Sequence, residues 1–269
     1  MAKATDLTGP SACSVDECLR KTHLICIGAA KTGTHTIAQM FDSRIKSSHE
    51  ACAGEIISLV ASQASAKDQR LELVDLIKKR DQTGRAEVDS SQLNIYLVDI
   101  FLSEYPGAKF VLTIRDCYTW LNSFINHSLR FPKTAPVWKR FRDFRFRSDH
   151  LVHPIQEAAL KERGLYTLEG YLSYWTFHNL TALNKIPQDR LLIIKTNEIS
   201  RRAQDIADFA GLPLDYIRHD CLHAFKSDQD FKVLHDLSED YLNDTIQRFS
   251  GSLMTQFFPT IKSLADAGI

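Results

Sequence analysis

The segment H-L-I-C-I-G-A-A-K-T-G-T-H-T, residues 23–36, decides the fold. It begins with an apolar run typical of a buried strand, passes through Gly28 and Gly33, and leads into a helical pattern over residues 36–44. A strand that turns tightly into a helix points successive backbone N–H groups at one spot, and the helix dipole adds positive potential there. The segment therefore predicts a binding site for a phosphate-like anion, with Lys31 inside the loop.

Strands and helices alternate along the rest of the chain. Apolar runs predict strong strands at residues 109–114 and 190–195 and weaker strands at 45–49 and 85–89, and helical patterns occur at 54–62, 67–79, 91–105, 118–129, 168–183 and 203–210. Because the best strands are apolar throughout, we expect a single α/β domain with a mostly parallel central sheet flanked by helices. The strand, glycine-containing loop and helix at residues 23–36 make the expected fold P-loop nucleotide-binding-like. The ligand of such a sheet lies at the carboxyl ends of the strands.

Composition excludes several classes of protein. The 269 residues contain 33 basic and 33 acidic side chains, and 44% of them are hydrophobic, which is ordinary for a globular protein. A chain without net charge does not coat nucleic acid by bulk electrostatics. The six cysteines form no C-x-x-C pair and no zinc-finger spacing, and no apolar run is long enough for a signal peptide or a membrane span. We predict a cytoplasmic protein without a metal, a nucleic-acid partner or a membrane partner.

The position of the lysine in the first loop separates two families. The usual nucleotide-binding loop places lysine directly after its second glycine. Here Gly28 and Gly33 have the spacing of that loop, but the lysine precedes Gly33 by two residues. The string I-G-A-A-K-T-G-T-H-T instead resembles the 5′-phosphosulfate loop, K-x-G-T-x-S/T, of sulfotransferases that use 3′-phosphoadenosine 5′-phosphosulfate (PAPS). The resemblance implies that Lys31 contacts the bridging oxygen of the donor, and that the donor is held by Thr32, Gly33, Thr34, His35 and Thr36.

A second motif matches the same family. The strand at residues 109–114 ends in Arg115, and Ser123 follows eight residues later on the predicted helix. In the family, an arginine and a serine at this spacing bind the 3′-phosphate of the donor. The chain departs from the family at Thr196, where an aromatic ring often stacks on adenine. The glycine-rich basic segment that closes over the 3′-phosphate in many members is also not evident, and Lys226 is a candidate substitute.

Sulfuryl transfer also needs a base that accepts the proton of the acceptor. Many members of the family use a histidine after the third strand, but this chain has Asp89-Ser90-Ser91 there. Other members use a glutamate after the second strand, which implies Glu50 as the base. His49 is the alternative and His127 a third candidate, whereas Asp89 is a candidate for orienting an acceptor amine.

One stretch stands out by composition. Residues 129–147, L-R-F-P-K-T-A-P-V-W-K-R-F-R-D-F-R-F-R, contain seven basic residues and one acidic residue, with five aromatic rings between them. We predict an N-terminal extension at residues 1–22 and a sulfotransferase domain at 23–269, with an acceptor-binding insertion at about 129–153. The alternative is an amphipathic stretch whose rings pack on the core.

The resemblance implies an enzyme that transfers a sulfuryl group from PAPS to a hydroxyl or amine of a small molecule and releases adenosine 3′,5′-diphosphate (PAP). Two other classes remain open. A P-loop kinase or NTPase would use residues 95–99, I-Y-L-V-D, as an apolar strand that ends in a magnesium-binding aspartate. A non-catalytic nucleotide-binding module on the same fold is the other, because fold alone does not define function.

Overall fold

A computed structural model describes residues 20–62, 65–132, 135–218, 220 and 230–269. Its centre is one sheet of five strands in the order β2-β3-β1-β4-β5, and all neighbouring strands run parallel. The strands are β1 (Leu24–Cys26), β2 (Ser47–His49), β3 (Val88–Ser90), β4 (Lys109–Ile114) and β5 (Leu191–Lys195). The predicted α/β class and the mostly parallel sheet are confirmed.

Ten α-helices connect and flank these strands within the described part of the chain. They are α1 (Thr34–Gln39), α2 (Ala53–Val60), α3 (Ala66–Gly84), α4 (Val98–Glu104), α5 (Cys117–Arg130), α6 (Pro136–Arg145), α7 (Ala158–Glu162), α8 (Leu168–Lys185), α9 (Ala203–Ala210) and α10 (Glu239–Phe257). None of the helices described is both long enough and apolar enough to cross a membrane.

The strand order explains where a ligand can enter. The chain leaves β1 towards β3 and β2 on one side and later returns to place β4 on the other side. Leu24 of β1 pairs with Val88 of β3 and also with Lys109 of β4. The loops after β1 and β4 therefore diverge at a topological switch point, which is the usual ligand crevice of an open parallel sheet.

Both faces of the central strands β1 and β4 are buried, as their apolar runs predicted. Ile25 of β1 packs towards α2, α3 and α4, whereas Leu24 and Cys26 pack towards α1 and α9. A further cluster joins α5, α8 and α10 around Trp120 and Trp175, both of which are fully buried. Burial on both faces holds the strand ends rigidly, so the loops that follow them start from fixed positions.

The helix predicted at residues 91–105 is in fact two elements. A 3₁₀-helix covers Gln92–Leu97, and α4 begins only at Val98. The Ser91 side chain starts the 3₁₀ segment by accepting a hydrogen bond from the backbone N–H of Leu93 at 3.0 Å. Residues 95–99 are helical rather than extended, so the strand on which the kinase interpretation depended is absent there.

Candidate active site

The loop between β1 and α1 is held by its carbonyl groups. Five carbonyls between residues 27 and 32 accept hydrogen bonds from side chains that belong to several separate elements. The pairs are Ile27 with His178 (2.7 Å), Ala29 with Thr32 (2.7 Å), Ala30 with Trp120 (2.9 Å), Lys31 with Arg115 (3.3 Å) and Thr32 with Thr196 (2.8 Å). Because these carbonyls are hydrogen-bonded to side chains of the protein, the loop is held in place from behind. The backbone N–H groups where the loop enters α1 have no partner within the helix, and they could therefore bind an anion.

Two residues of this loop adopt left-handed backbone angles. Lys31 has φ 68° and Gly33 has φ 101°. A Cβ at Gly33 would also lie 2.4 Å from the Cδ1 atom at the tip of the Ile199 side chain, which would have to move. Alternation between right- and left-handed residues is the backbone pattern that turns consecutive N–H groups to one side and forms a concave anion site.

Lys31 and Arg115 come together at the carboxyl edge, as the two sequence motifs require of one ligand. The Arg115 guanidinium is oriented by a hydrogen bond from Nε to Thr119 Oγ1 at 2.9 Å, and Nη1 donates to the Lys31 carbonyl. Burial lowers the pKa of Lys31, and the nearby Arg115 charge lowers it further. Burial also lowers the pKa of Arg115. Two half-buried cations side by side are energetically unfavourable unless an anion binds between them.

The remaining predicted donor contacts divide into two groups. Thr32 is turned inward, because its hydroxyl lies 2.8 Å from Thr113 Oγ1 under the loop and is only 1% exposed. Its side chain therefore supports the loop instead of facing the site. Thr36, the third residue of α1, and Ser123 of α5 are both half-buried. Ser123 lies on the helix that begins two residues after Arg115.

Glu50 is a half-buried carboxylate directly after β2. Its Oε2 accepts a hydrogen bond from Ser91 Oγ at 2.9 Å, and its Oε1 accepts from the backbone N–H and the side-chain amide of Gln92, at 3.2 and 3.3 Å. Burial raises the pKa of Glu50, while these hydrogen bonds and the positive charge of Arg145 oppose that rise. A carboxylate with a raised pKa and a fixed orientation is suited to accept a proton near neutral pH.

The alternative bases have different surroundings. The His49 ring stacks on the His35 ring with centroids 4.8 Å apart, and its Nε2 lies 3.4 Å from Thr34 Oγ1. Desolvation lowers the pKa of His49, while the charge of Asp89 raises it. His127 lies ten residues after the first residue of α5, about 15 Å along the helix axis. Its ring instead contacts Phe131, with centroids 5.3 Å apart.

Asp89 is engaged in a buried ion pair with Arg80 of α3. Ser48 Oγ and Asn94 Nδ2 also donate to its carboxylate, each at 3.4 Å. Asp89 is 5% exposed, so its charge is neutralised inside the protein. The structure thus gives Asp89 a structural role between β3 and α3, and not the predicted role towards an acceptor amine.

The basic aromatic stretch has a mixed role. Its Phe141 and Phe146 are fully buried, whereas Phe131 and Phe144 remain about half exposed. Arg145, the last residue of α6, is only 8% exposed and lies among the rings of Phe124, Phe141, Phe146 and Tyr174, with its Cζ 4.6–5.2 Å from their centroids. The packing alternative is correct for these buried rings, and the same helix also delivers a cation to the site.

Several site residues had no recognisable sequence signal. Trp120 and Trp175 donate indole N–H bonds to the carbonyls of Ala30 and Arg115, at 2.9 and 3.0 Å. Thr196, noted in the sequence only because it is not aromatic, donates to the Thr32 carbonyl. These residues act through contacts between distant segments, so no local sequence spacing predicts their roles. Lys226 lies outside the described residues. In the part of the chain that is described, no three His, Cys, Asp or Glu side chains form a metal site.

The parallel sheet with a glycine-containing loop at its switch point defines an α/β protein of P-loop-like architecture. A family model for the sulfotransferase domain matches residues 23–200, and the chain therefore belongs to the sulfotransferase family.

One solved structure supports the same fold, and a second is similar to the chain to a lesser degree. A sulfotransferase from Mycobacterium avium is 11% identical, with a TM-score of 0.50 over 90% of this chain and 78% of that chain. A sulfotransferase from Alicyclobacillus acidocaldarius is 15% identical, with a TM-score of 0.49 over 86% of this chain and 95% of that chain. No curated protein matches the sequence. At 11% identity the Mycobacterium avium structure bears on the fold alone.

Proposed function

We propose that the protein transfers a sulfuryl group from PAPS to a hydroxyl or amine of a small-molecule acceptor. The observation that carries this proposal is the meeting of Lys31 and Arg115 at the ends of β1 and β4. A donor with a phosphosulfate at one end and a 3′-phosphate at the other offers an anion to each cation. ATP has no 3′-phosphate, so it leaves Arg115 without its partner.

Donor binding in this proposal uses the loop and α5. The backbone N–H groups of Gly33, Thr34 and His35 and the hydroxyl of Thr36 hold the 5′-phosphate, while Arg115 and Ser123 hold the 3′-phosphate. Charge-assisted hydrogen bonds of this kind contribute ~1.5–3 kcal/mol each. Lys31 lies at the start of the anion site, where it neutralises the charge that develops on the bridging oxygen.

The transfer step is an in-line displacement. The acceptor oxygen or nitrogen forms a bond to sulfur, the bond from sulfur to the bridging oxygen breaks, and that oxygen leaves with PAP. The acceptor proton passes to Glu50. Two observations support Glu50 as the base: both its oxygens are oriented by hydrogen bonds, and burial raises its pKa. Asp89 is already paired with Arg80.

The experiment that tests the proposal compares nucleotides before any acceptor is known. Thermal shift and calorimetry with PAP, with adenosine 5′-monophosphate and with ATP–Mg²⁺ should show the strongest stabilisation by PAP. Stronger binding of ATP–Mg²⁺ would instead favour a kinase or NTPase. Incubation with ³⁵S-labelled PAPS and a fractionated metabolite pool then identifies the acceptor. Binding of PAP without transfer to any fraction would favour the non-catalytic module.

A further inference from the structure

Arg145 is a buried cation that forms no ion pair with a carboxylate in the described part of the chain. Although it is only 8% exposed, no carboxylate among the described residues lies within 4 Å of its guanidinium. Its Nε is buried without a hydrogen-bond partner. Four aromatic rings surround it and supply cation–π attraction, which compensates for part of the lost hydration. Burial of a charge in this way is unfavourable unless something polar receives it.

The side-chain amide of Gln92 is the polar group that contacts the Arg145 guanidinium. Arg145 Nη1 donates to Gln92 Oε1 at 2.6 Å, and Gln92 Nε2 donates to Glu50 Oε1 at 3.3 Å. The orientation of the amide follows from chemistry, because a guanidinium has only donors and an ionised carboxylate has only acceptors. The amide dipole is therefore aligned between a cation and a carboxylate, and its N–H end can point only at Glu50.

We propose that Arg145 is a positioning residue for Glu50, which it orients and keeps ionised through the side-chain amide of Gln92. The proposal rests on the proposed function, in which Glu50 accepts the acceptor proton. In this proposal the basic stretch at residues 129–147 contributes to the reaction, because its Arg145 lies behind Glu50 and contacts it through Gln92. Since the contact joins residues 53 positions apart, it exists only in the folded protein.

Among the described residues, few other charged groups act on Glu50. From α8, the Tyr174 phenol faces the same space, since the charges of both Arg145 and Glu50 influence its pKa. On its own segment, the neighbouring His49 imidazole stacks on His35 of α1. From β3, the Asp89 carboxylate is paired with Arg80 of α3. Ser91 and Gln92, which hold Glu50 directly, carry no charge. Arg145 is therefore the cation whose removal should act most strongly on Glu50.

The test measures the carboxyl pKa of Glu50 by ¹³C NMR in protein labelled at glutamate, with the resonance assigned from E50Q. In R145M this pKa should rise by about half a unit, because loss of a nearby opposite charge raises a carboxyl pKa, and the Arg145 charge is the smallest of the influences that lower it. Q92M should produce a rise in the same direction while Arg145 remains in place. R145K keeps the charge and should give a smaller rise than R145M.

R140M is the matched control. Arg140 lies on the same helix, but it is exposed and donates to the Ser58 carbonyl at 2.8 Å. The same loss of charge at residue 140 should leave the pKa of Glu50 within about 0.2 units. An equal rise in R140M, or an unchanged pKa in both R145M and Q92M, would overturn the proposal. Should R145M fail to fold, Q92M decides, since Gln92 is half-buried and Arg145 remains packed among its rings.

Kinetic measurements distinguish a failure of the Arg145 proposal from a failure of the proposal that Glu50 is the base. In R145M and Q92M the acid limb of the kcat/KM profile should move to higher pH by the same amount as the NMR pKa. Normal turnover by E50Q would refute Glu50 as the base, and the NMR titration would still decide whether Arg145 acts on Glu50. A limb that stays in place while the NMR pKa rises would show that Arg145 does not serve the reaction.

Discussion

The Arg115 guanidinium donates a hydrogen bond from Nη1 to the backbone oxygen of Lys31, at 3.3 Å. This contact joins the loop after β1 to the end of β4, and it places two cations on the same side of the sheet edge. Burial lowers the pKa of each of them. An anionic ligand that spans both loops relieves their repulsion, so the pair should respond strongly to the number of phosphates on a nucleotide.

Arg115→Ala should weaken PAP binding by about 10- to 100-fold, which corresponds to the loss of one or two charge-assisted hydrogen bonds. Binding of adenosine 5′-monophosphate, which lacks the 3′-phosphate, should change little. Isothermal titration calorimetry with both nucleotides measures the difference. Equal losses for the two nucleotides would show that Arg115 does not recognise the 3′-phosphate.

Lys31→Met should lower kcat by about 10²–10³, the usual effect of removing one donor that acts on the transition state. Methionine keeps most of the length of the side chain and, like lysine, must adopt a positive φ at this position. The backbone cost is therefore similar in both proteins. Turnover is measured with saturating PAPS, and an unchanged melting temperature verifies the fold. A kcat equal to that of the wild type would remove Lys31 from the mechanism.

Glu50→Gln should lower kcat by about 10²–10⁴, the contribution of a positioned general base. Because burial raises the pKa of Glu50 above its ordinary 4.5, wild-type kcat/KM should fall as the pH drops through that raised pKa. E50Q should lose this acid limb. His49→Gln is the matched comparison, and it should retain both the limb and most of the rate. The opposite pattern would make His49 the base.

Gly28→Ala should destabilise the protein by roughly 1–3 kcal/mol, the usual cost of an added methyl group in a filled space. A Cβ at Gly28 would lie 1.8 Å from Thr113 Oγ1 and 2.5 Å from Thr32 Oγ1, the pair that supports the loop. Gly54→Ala is the control, because a Cβ there meets nothing within 4 Å and Gly54 lies in α2. That change should leave stability equal or slightly higher. Urea denaturation compares the two, and a G28A protein as stable as G54A would contradict this packing around Thr113 and Thr32.

Stability should fall between pH 6.5 and pH 4 because of His178. Burial lowers the pKa of His178 from 6.5 to about 4, and its Nε2–H donates to the Ile27 carbonyl. The unfolded chain binds a proton below pH 6.5, whereas the folded protein does so only near pH 4. The unfolded state therefore binds more protons in this interval, and stability is lost as the pH falls. The contribution of His178 is about 3 kcal/mol at most.

His178→Gln should flatten this dependence, because the glutamine amide can donate to the same carbonyl without titrating. The free energy of unfolding at pH 7 and at pH 4.5 measures the effect. Some slope should remain in the variant, since burial lowers the pKa of His23 to about 4 as well. An identical slope in wild type and H178Q would show that His178 is not held neutral by the fold.

The two loops that meet at the carboxyl edge could be predicted from the sequence, while their binding of an anion stays a prediction. Gly33 and Lys31 lie in one loop, and Arg115 directly follows the most apolar strand, so short spacings carry their chemistry. The predicted bounds and types of some helices were less accurate. The helix predicted at residues 91–105, for example, begins as a 3₁₀-helix at Gln92. The Ser91 side chain caps this 3₁₀ segment, and periodicity does not register such a local hydrogen bond.

By itself, the sequence determined the alternation of strands and helices, the parallel sheet and the two loops at its carboxyl edge. Apolar periodicity and glycine positions act locally, and they are therefore visible along the chain. Only the tertiary structure decided that Asp89 pairs with Arg80 and that Arg145 reaches Gln92 behind Glu50. The physical reason is desolvation: a charged side chain changes its properties when distant segments bury it, and no single stretch of sequence contains both the charge and the residues that cover it.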